Sequence, residues 1–186
     1  MAILRSHAHL EARMTTAYYD TLETPDGPFT VILLEGEVIA AGWTTDTDDL
    51  LSRVHPELKP TELRHDTEIV HPVSLAIKHY YDGDHGATLP IPVHQKSGVF
   101  IERCWSELRA VPAGTTVSYS DLAASAGNPR AARAAASACA NNAVALFVPC
   151  HRVLPKNGST GGFRYGPALK DSLLDRENQT AESGEG

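Results

Sequence analysis

Residues 143–154 read AVALFVPCHRVL: an apolar run that reaches Pro149 and then sets a thiol, an imidazole and a guanidinium side by side at Cys150, His151 and Arg152. The run reads as a buried strand that ends at the proline. A thiol attacks only as its thiolate, and neighbouring His or Arg lowers its pKa. Cys150 is therefore the candidate nucleophile. The competing reading is a buried structural Cys next to a solvent-facing His and Arg. Neighbouring side chains on a strand face opposite ways, so His151 serves Cys150 only through a turn or a bridging water.

On the N-terminal side lie VSYSDLAASAG (117–127) and NPRAARAAASACANN (128–142). In the first, Ser118 or Ser120 can cap a short helix that Gly127 stops. In the second, Asn128 suits an N-cap and Pro129 a first helical position. Two short helices around a Gly-containing turn fit a helix-turn-helix. Arg130 and Arg133 share a face of the second helix, whose many alanines permit close approach to a partner. Before them, 97–111 is helical, with Phe100, Cys104, Trp105 and Leu108 on one stripe. On the C-terminal side, PKNGSTGGFRYG (155–166) is a glycine-rich loop without P-loop spacing. PALKDSLLDRE (167–177) closes as a helix, with Leu169, Leu173 and Leu174 inward and Glu177 at its end. Residues 178–186 read as a tail and 1–16 as a leader.

Residues 17–94 read as a small α+β domain. Strands at 29–35 and 38–43 sit either side of Glu35-Gly36-Glu37 as an antiparallel hairpin. A short helix follows at 45–54 and a longer one at 71–84, and LPIPVH (89–94) is extended. Glu35, Glu37, Asp46, Asp48 and Asp49 read as turn and cap residues rather than catalytic pairs. The mostly helical second domain is 97–177.

The chain has 186 residues and a net charge of −7, which taken whole argues against a nucleic-acid coat. Yet residues 1–96 hold 7 basic and 15 acidic side chains, whereas 112–170 hold six bases and only Asp121 as an acid. That asymmetry points the second half at an anionic partner. No run is long and apolar enough to span a bilayer, and no h-region marks a signal peptide. Three scattered cysteines make neither a disulfide framework nor a zinc set. These features predict a cytoplasmic protein with no structural metal.

PCHRV, preceded by GNPRAAR and followed by a Gly-rich loop and LLDRE, resembles the O6-alkylguanine-DNA alkyltransferase family, strongly over 97–177 and weakly at TPDGPFTV (24–31). The resemblance implies a ribonuclease H-like N-terminal domain and a C-terminal domain that reads DNA through the helix-turn-helix. It implies irreversible transfer of an alkyl group from O6-alkylguanine, or O4-alkylthymine, in duplex DNA to Cys150, by a monomer with no cofactor. By the same resemblance His151 acts through water as base, Glu177 orients it, Tyr119 protonates the leaving base and Asn142 supports the active-site turn. Arg133 fills the gap left by the flipped nucleotide, with Arg130, Ala132, Ala134, Ser120 and Arg152 as further DNA contacts. Val153, Gly162, Phe163, Arg164 and Tyr165 form the pocket. Tyr165 stands where the family often has glycine, and Ala143 and Ala145 where it has prolines, which predicts a narrower pocket and a less stiff approach to Cys150. Two readings compete: a cysteine hydrolase or redox protein, and a non-catalytic helix-turn-helix lesion-binding or regulatory protein.

Overall fold

Glu35 and Gly36 both take positive φ, 52° and 85°, as a two-residue primed turn requires. They join β2 (Gly27–Leu34) to β3 (Glu37–Gly42), and Pro25-Asp26 joins β1 (Thr16–Thr24) to β2. All three strands are antiparallel. The computed structural model describes residues 14–157 and 159–183, so residues 1–13 of the expected leader, Gly158 and 184–186 lie outside the described residues. Thr15 and Thr16 are not loose. Thr15 exchanges hydrogen bonds with Thr61, and Thr16 opens β1. A fourth strand, β4 (Glu62–His65), runs parallel to β1 and completes the order β3-β2-β1-β4. Four residues, three of them polar, carry no alternation from which to read it.

FTVILLE carries apolar residues on both alternations because both faces of β2 are covered. Phe29, Val31 and Leu33 meet Val70, Val73 and Ile77 of α2 (Thr67–Tyr81). Ile32 meets Leu50 of α1 (Thr47–Ser52) with Val54 and Leu58 beyond it. Asp46 caps α1 by accepting from the Asp49 N–H, and Asp66 caps α2 by accepting from Glu68 and Ile69. The Asp66 cap starts α2 four residues before His71, which leaves Pro72 inside the helix.

The second half opens with α3 (Val99–Ala110), which buries Cys104, Trp105 and Leu108 as its stripe predicts. Residues Val117–Ser118 (β5) pair with Val153–Leu154 (β6). Ser118 then starts α4 (Tyr119–Ser125) in a capping box with Asp121. The next helix, α5 (Ala132–Ala140), begins three residues later than Asn128 suggests. Asn128 instead closes a turn, its side-chain oxygen accepting from Arg130 N and its carbonyl from Ala131 N. The last helix, α6 (Pro167–Ser183), continues through 178–183, where a tail was expected. Between Gly166 and Gly184 no glycine interrupts it, and Pro167 stands at its first position, where proline is tolerated. The fold is thus mixed α+β. One buried cluster draws Phe29, Val31 and Ile77 from the first half together with Leu108, Leu122, Phe147 and Leu173 from the second. Among the described residues no helix is long and apolar enough to cross a membrane.

The outer edge of β3 positions the site. Val38 bonds to Pro92 O and His94 N, and Ala41 bonds to Ala143 O and Ala145 N. The sheet of the first half therefore holds the segment that leads to Cys150.

Candidate active site

The approach to Cys150 is buried but is not a strand. Residues 145–147 turn, Leu146 takes φ 73°, and Cys150–Arg152 form one 3-10 turn. A buried apolar run of this length is compatible with strand or turn alike. Leu146 is unfavourable in that conformation, by about 1–2 kcal/mol, and the packing around it must hold it there. The two alanines at 143 and 145 do not loosen the approach. The Ala143 N–H donates to Gln95 Oε1 at 2.8 Å and the Ala145 N–H to Ala41 O at 3.1 Å.

The 3-10 turn sends Cys150 and His151 to different surroundings. Cys150 is half-buried on a cavity of about 450 Å³. Asn142 Nδ2 donates to its Sγ at 3.3 Å and to Val148 O at 2.8 Å. Burial pushes the Cys150 thiol up; the Asn142 hydrogen bond and the Lys170 charge pull it back. His151 lies fully inside the protein, its Nε2 donating to Glu177 Oε1 at 2.8 Å. That bond fixes the tautomer and leaves Nδ1 as the basic nitrogen. Burial lowers the His151 pKa against the upward pull of Glu177, so the imidazole rests neutral.

Glu177 gathers four donors. Tyr80 Oη donates to Oε1 at 2.7 Å, His151 to the same oxygen, and Arg152 to both oxygens at 2.9 and 3.0 Å. Burial alone would raise the carboxyl pKa; the bonds from His151 and Arg152 outweigh it and hold Glu177 well below the usual carboxylate range. Arg152 Nη1 also donates to Val111 O at 2.6 Å. Its guanidinium is buried and fully engaged, so Arg152 cannot be the DNA contact that the resemblance implied.

The remaining expected residues fall into two groups. Tyr119, Asn142, Gly162, Phe163, Arg164 and Tyr165 line the Cys150 cavity. Val153 does not: its side chain is buried, and its carbonyl accepts from Lys170 Nζ at 2.7 Å. Arg130, in the turn before α5, and Arg133, on its first turn, are exposed, with Ala132 and Ala134 half-buried beside them and Ser120 half-buried on α4. Arg133 stands one turn before Ala136, which lines the cavity, and so shares that face of α5.

The cavity wall also includes residues that sequence reading missed. Ala140 comes from α5, and Arg53, whose Nη1 donates to Ala140 O at 2.8 Å, comes from the end of α1. Cys139, which the sequence suggests is a helix-packing thiol rather than a second acceptor, also stands on this wall. Tyr165 packs edge-on against Trp43 at 5.2 Å and Phe163 at 5.7 Å, and a Cβ on Gly42 would overlap its ring. Burial pushes the Tyr165 phenol up to about 12. Burial also pushes the Cys139 thiol up, which keeps it protonated and a poor second acceptor.

The basic segment also changes meaning. Of its six cations, Arg152 and Lys170 are buried and Arg164 pairs with Asp49. Arg130, Arg133 and Lys156 are left exposed. Lys170 did announce itself in the sequence, because Lys170, Leu173 and Glu177 share the inward stripe of α6. Tyr80 and Gln95 gave no local signal. Tyr80 meets a partner 97 residues away, and Gln95 meets partners 47 and 48 residues away.

The sequence of 99–179 matches the family described as 6-O-methylguanine DNA methyltransferase, DNA binding domain. A Bacillus subtilis protein named methylated-DNA–protein-cysteine methyltransferase, inducible, is 31% identical over 173 residues, which are 92% of this chain and 96% of that protein. This chain belongs to the methylated-DNA–protein-cysteine methyltransferase family. The match to the Escherichia coli bifunctional transcriptional activator/DNA repair enzyme Ada is closer, 44% over 94 residues, but spans only 27% of that longer protein and 50% of this chain. Among solved structures, Mycobacterium tuberculosis OGT in complex with DNA superposes with TM-score 0.73 at 27% identity, covering 88% of this chain and 94% of that one. The methyltransferase family membership therefore extends to the N-terminal sheet as well as to the segment around Cys150.

Proposed function

We propose that this chain repairs alkylated DNA by moving the alkyl group of O6-alkylguanine onto Cys150 in a single turnover. The observation that carries this reading is a Cys150 thiol on a cavity, held by the Asn142 N–H, with a buried neutral His151 next to it in the chain and held by Glu177. His151 Nδ1 takes the thiol proton through a water molecule. Cys150 Sγ then attacks the alkyl carbon; the S–C bond forms as the C–O6 bond breaks. Tyr119, on the cavity wall, donates its hydroxyl proton to guanine N3 as negative charge builds on the leaving base. The proton taken from the thiol makes good the one given to the base, so no further reagent is needed. The thioether is not cleaved, so each molecule acts once. A cysteine hydrolase would need an intermediate that water can open, and a thioether is not one.

A base inside a duplex is out of reach of Sγ, so the nucleotide must leave the stack. We read α4 and α5 as a helix-turn-helix that enters the minor groove, with the small residues of α5 permitting close approach and Arg133 occupying the vacated place. The sheet order, with β4 parallel to β1, supports a ribonuclease H-like N-terminal domain. With three exposed cations left in residues 112–170, phosphate attraction is modest and salt-sensitive.

The direct test is an oligonucleotide duplex with one radiolabelled O6-methylguanine. Label on the protein, rising to one equivalent and no further, is the expected result; repair without label on the chain would sink the reading. Two variants test its parts. Arg133→Ala should slow repair in duplex DNA on the order of a hundredfold, because unstacking costs a few kcal/mol. Its reaction with free O6-methylguanine should be nearly unchanged, and equal loss on both substrates would refute the base-gap role. Tyr165→Gly should raise the ratio of O6-benzyl to O6-methyl reaction roughly tenfold or more, because the ring that Trp43 holds over the cavity is removed. An unchanged ratio in the folded variant would show that Tyr165 does not set the pocket width.

A further inference from the structure

Gln95 lies in the extended segment before α3, far in sequence from Cys150, yet one side chain separates it from the sulfur. Both ends of its amide are in use. Nε2 donates to Asn142 Oδ1 at 3.0 Å, and Oε1 accepts from Ala143 N at 2.8 Å. Asn142 Oδ1 also accepts from Val144 N at 3.2 Å. Two donors on that oxygen fix which way the Asn142 amide points, and Nδ2 is thereby turned to Val148 O and Cys150 Sγ. Rotated by half a turn, the amide would set an oxygen against the sulfur and lose all four bonds.

We propose that Gln95 is a positioning residue for the transfer: its amide locks Asn142 with the N–H end on Cys150 Sγ, so that a donor is in place when the sulfur becomes a thiolate. The proposal rests on Cys150 being the alkyl acceptor. A hydrogen bond that favours the charged form lowers a pKa, and one that is lost lets burial raise it. The other groups facing Cys150 do not depend on Gln95. The charge of Lys170 of α6 pulls the thiol down, although burial lowers the Lys170 pKa itself. Tyr119 of α4, Cys139 of α5 and Tyr165 of the loop are kept neutral by burial, as is His151 next along the chain, and Arg53 and Arg164 stand on the same cavity wall. The Asn142 N–H, Lys170 and the backbone N–H of Cys150 itself favour the thiolate, and Gln95 controls the first of these.

The test is the pH dependence of Cys150 alkylation by iodoacetamide in the full chain, followed on the Cys150 peptide so that Cys104 and Cys139 do not contribute. In Gln95→Leu the midpoint should rise by about one pH unit, and methyl transfer at neutral pH should slow roughly tenfold. In an Asn142→Ala background the same substitution should shift nothing further, which a merely structural role for Gln95 would not produce. If Gln95→Leu fails to fold, Gln95→Met, unbranched and of matching length, takes its place under the same criteria. An unshifted midpoint in the folded variant, or an equal shift with and without Asn142, would overturn the proposal. Should the wild-type chain transfer no methyl group, the functional reading falls, while the iodoacetamide midpoint still decides the role of Gln95.

Discussion

Glu177→Gln should both destabilise the protein and slow methyl transfer, by large amounts. The carboxylate is fully buried and takes charge-assisted bonds from Arg152, besides those from His151 and Tyr80. Neutralising it leaves a buried guanidinium without its counter-charge, facing only neutral acceptors such as the Val111 carbonyl. Breaking a buried pair in this way costs about 3–5 kcal/mol. In a chain of this size that lowers Tm by roughly 6–20 °C, at about 2–4 °C per kcal/mol. Transfer should slow on the order of a hundredfold, because the imidazole loses the charge that orients it and stabilises its protonated form. Thermal unfolding and single-turnover rates read the two effects separately. Full stability with full rate would remove Glu177 from the account.

The same cluster sets the response to acid. His151 and Glu177 both have folded-state pKa values below their unfolded ones of 6.5 and 4.5. The unfolded chain therefore binds more protons below those values, and stability rises with pH there. The contribution of His151 is fully present above about 6.5 and is lost as pH falls toward its folded pKa. That of Glu177 is present above about 4.5 and lost at still lower pH. The Tm of the wild type should fall on acidification from 6.5, and below 4.5 the fall should be shallower in Glu177→Gln. A Tm that rises on acidification would contradict this assignment.

Cys150→Ser should reduce transfer to the uncatalysed level while leaving the fold and DNA binding intact. The exchange removes a polarisable sulfur and substitutes a slightly smaller hydroxyl far less acidic than a thiol, at a half-buried site on the edge of the core. Asn142 and the cavity remain, so damaged DNA should still bind. Retained repair in Cys150→Ser would point to another acceptor, and Cys139 shares the cavity. Lost binding together with lost transfer would instead mean that the serine disturbs the site as a whole.

The chemistry of the site was legible in residues close together in sequence or on a helical stripe. Cys150, His151 and Arg152 announce a reactive thiol by adjacency, and the capping box at Ser118 and Asp121 marks the start of α4. The hairpin followed from Glu35-Gly36 between two apolar runs. What stayed hidden was set by tertiary contact. Arg152 looks like a surface cation until Glu177 is brought to it. The run at 143–149 has the composition of a buried strand, yet only Val144 bridges to the sheet, and Leu146 turns without a glycine to advertise it. β4 exists only through its pairing with β1. The first half of the chain, which offered no catalytic constellation of its own, holds residues 143–145 on the edge of β3 and sends Tyr80, Gln95 and Arg53 to the site.

The central claim is that one alkyl group moves irreversibly to one sulfur. Peptide mass analysis after incubation with excess duplex carrying O6-methylguanine tests it most directly. The account predicts one added methyl group per chain, on the Cys150 peptide alone, with the amount of repaired DNA equal to the amount of protein. A methyl group on Cys139 or Cys104, or repaired DNA in excess of protein, would contradict it.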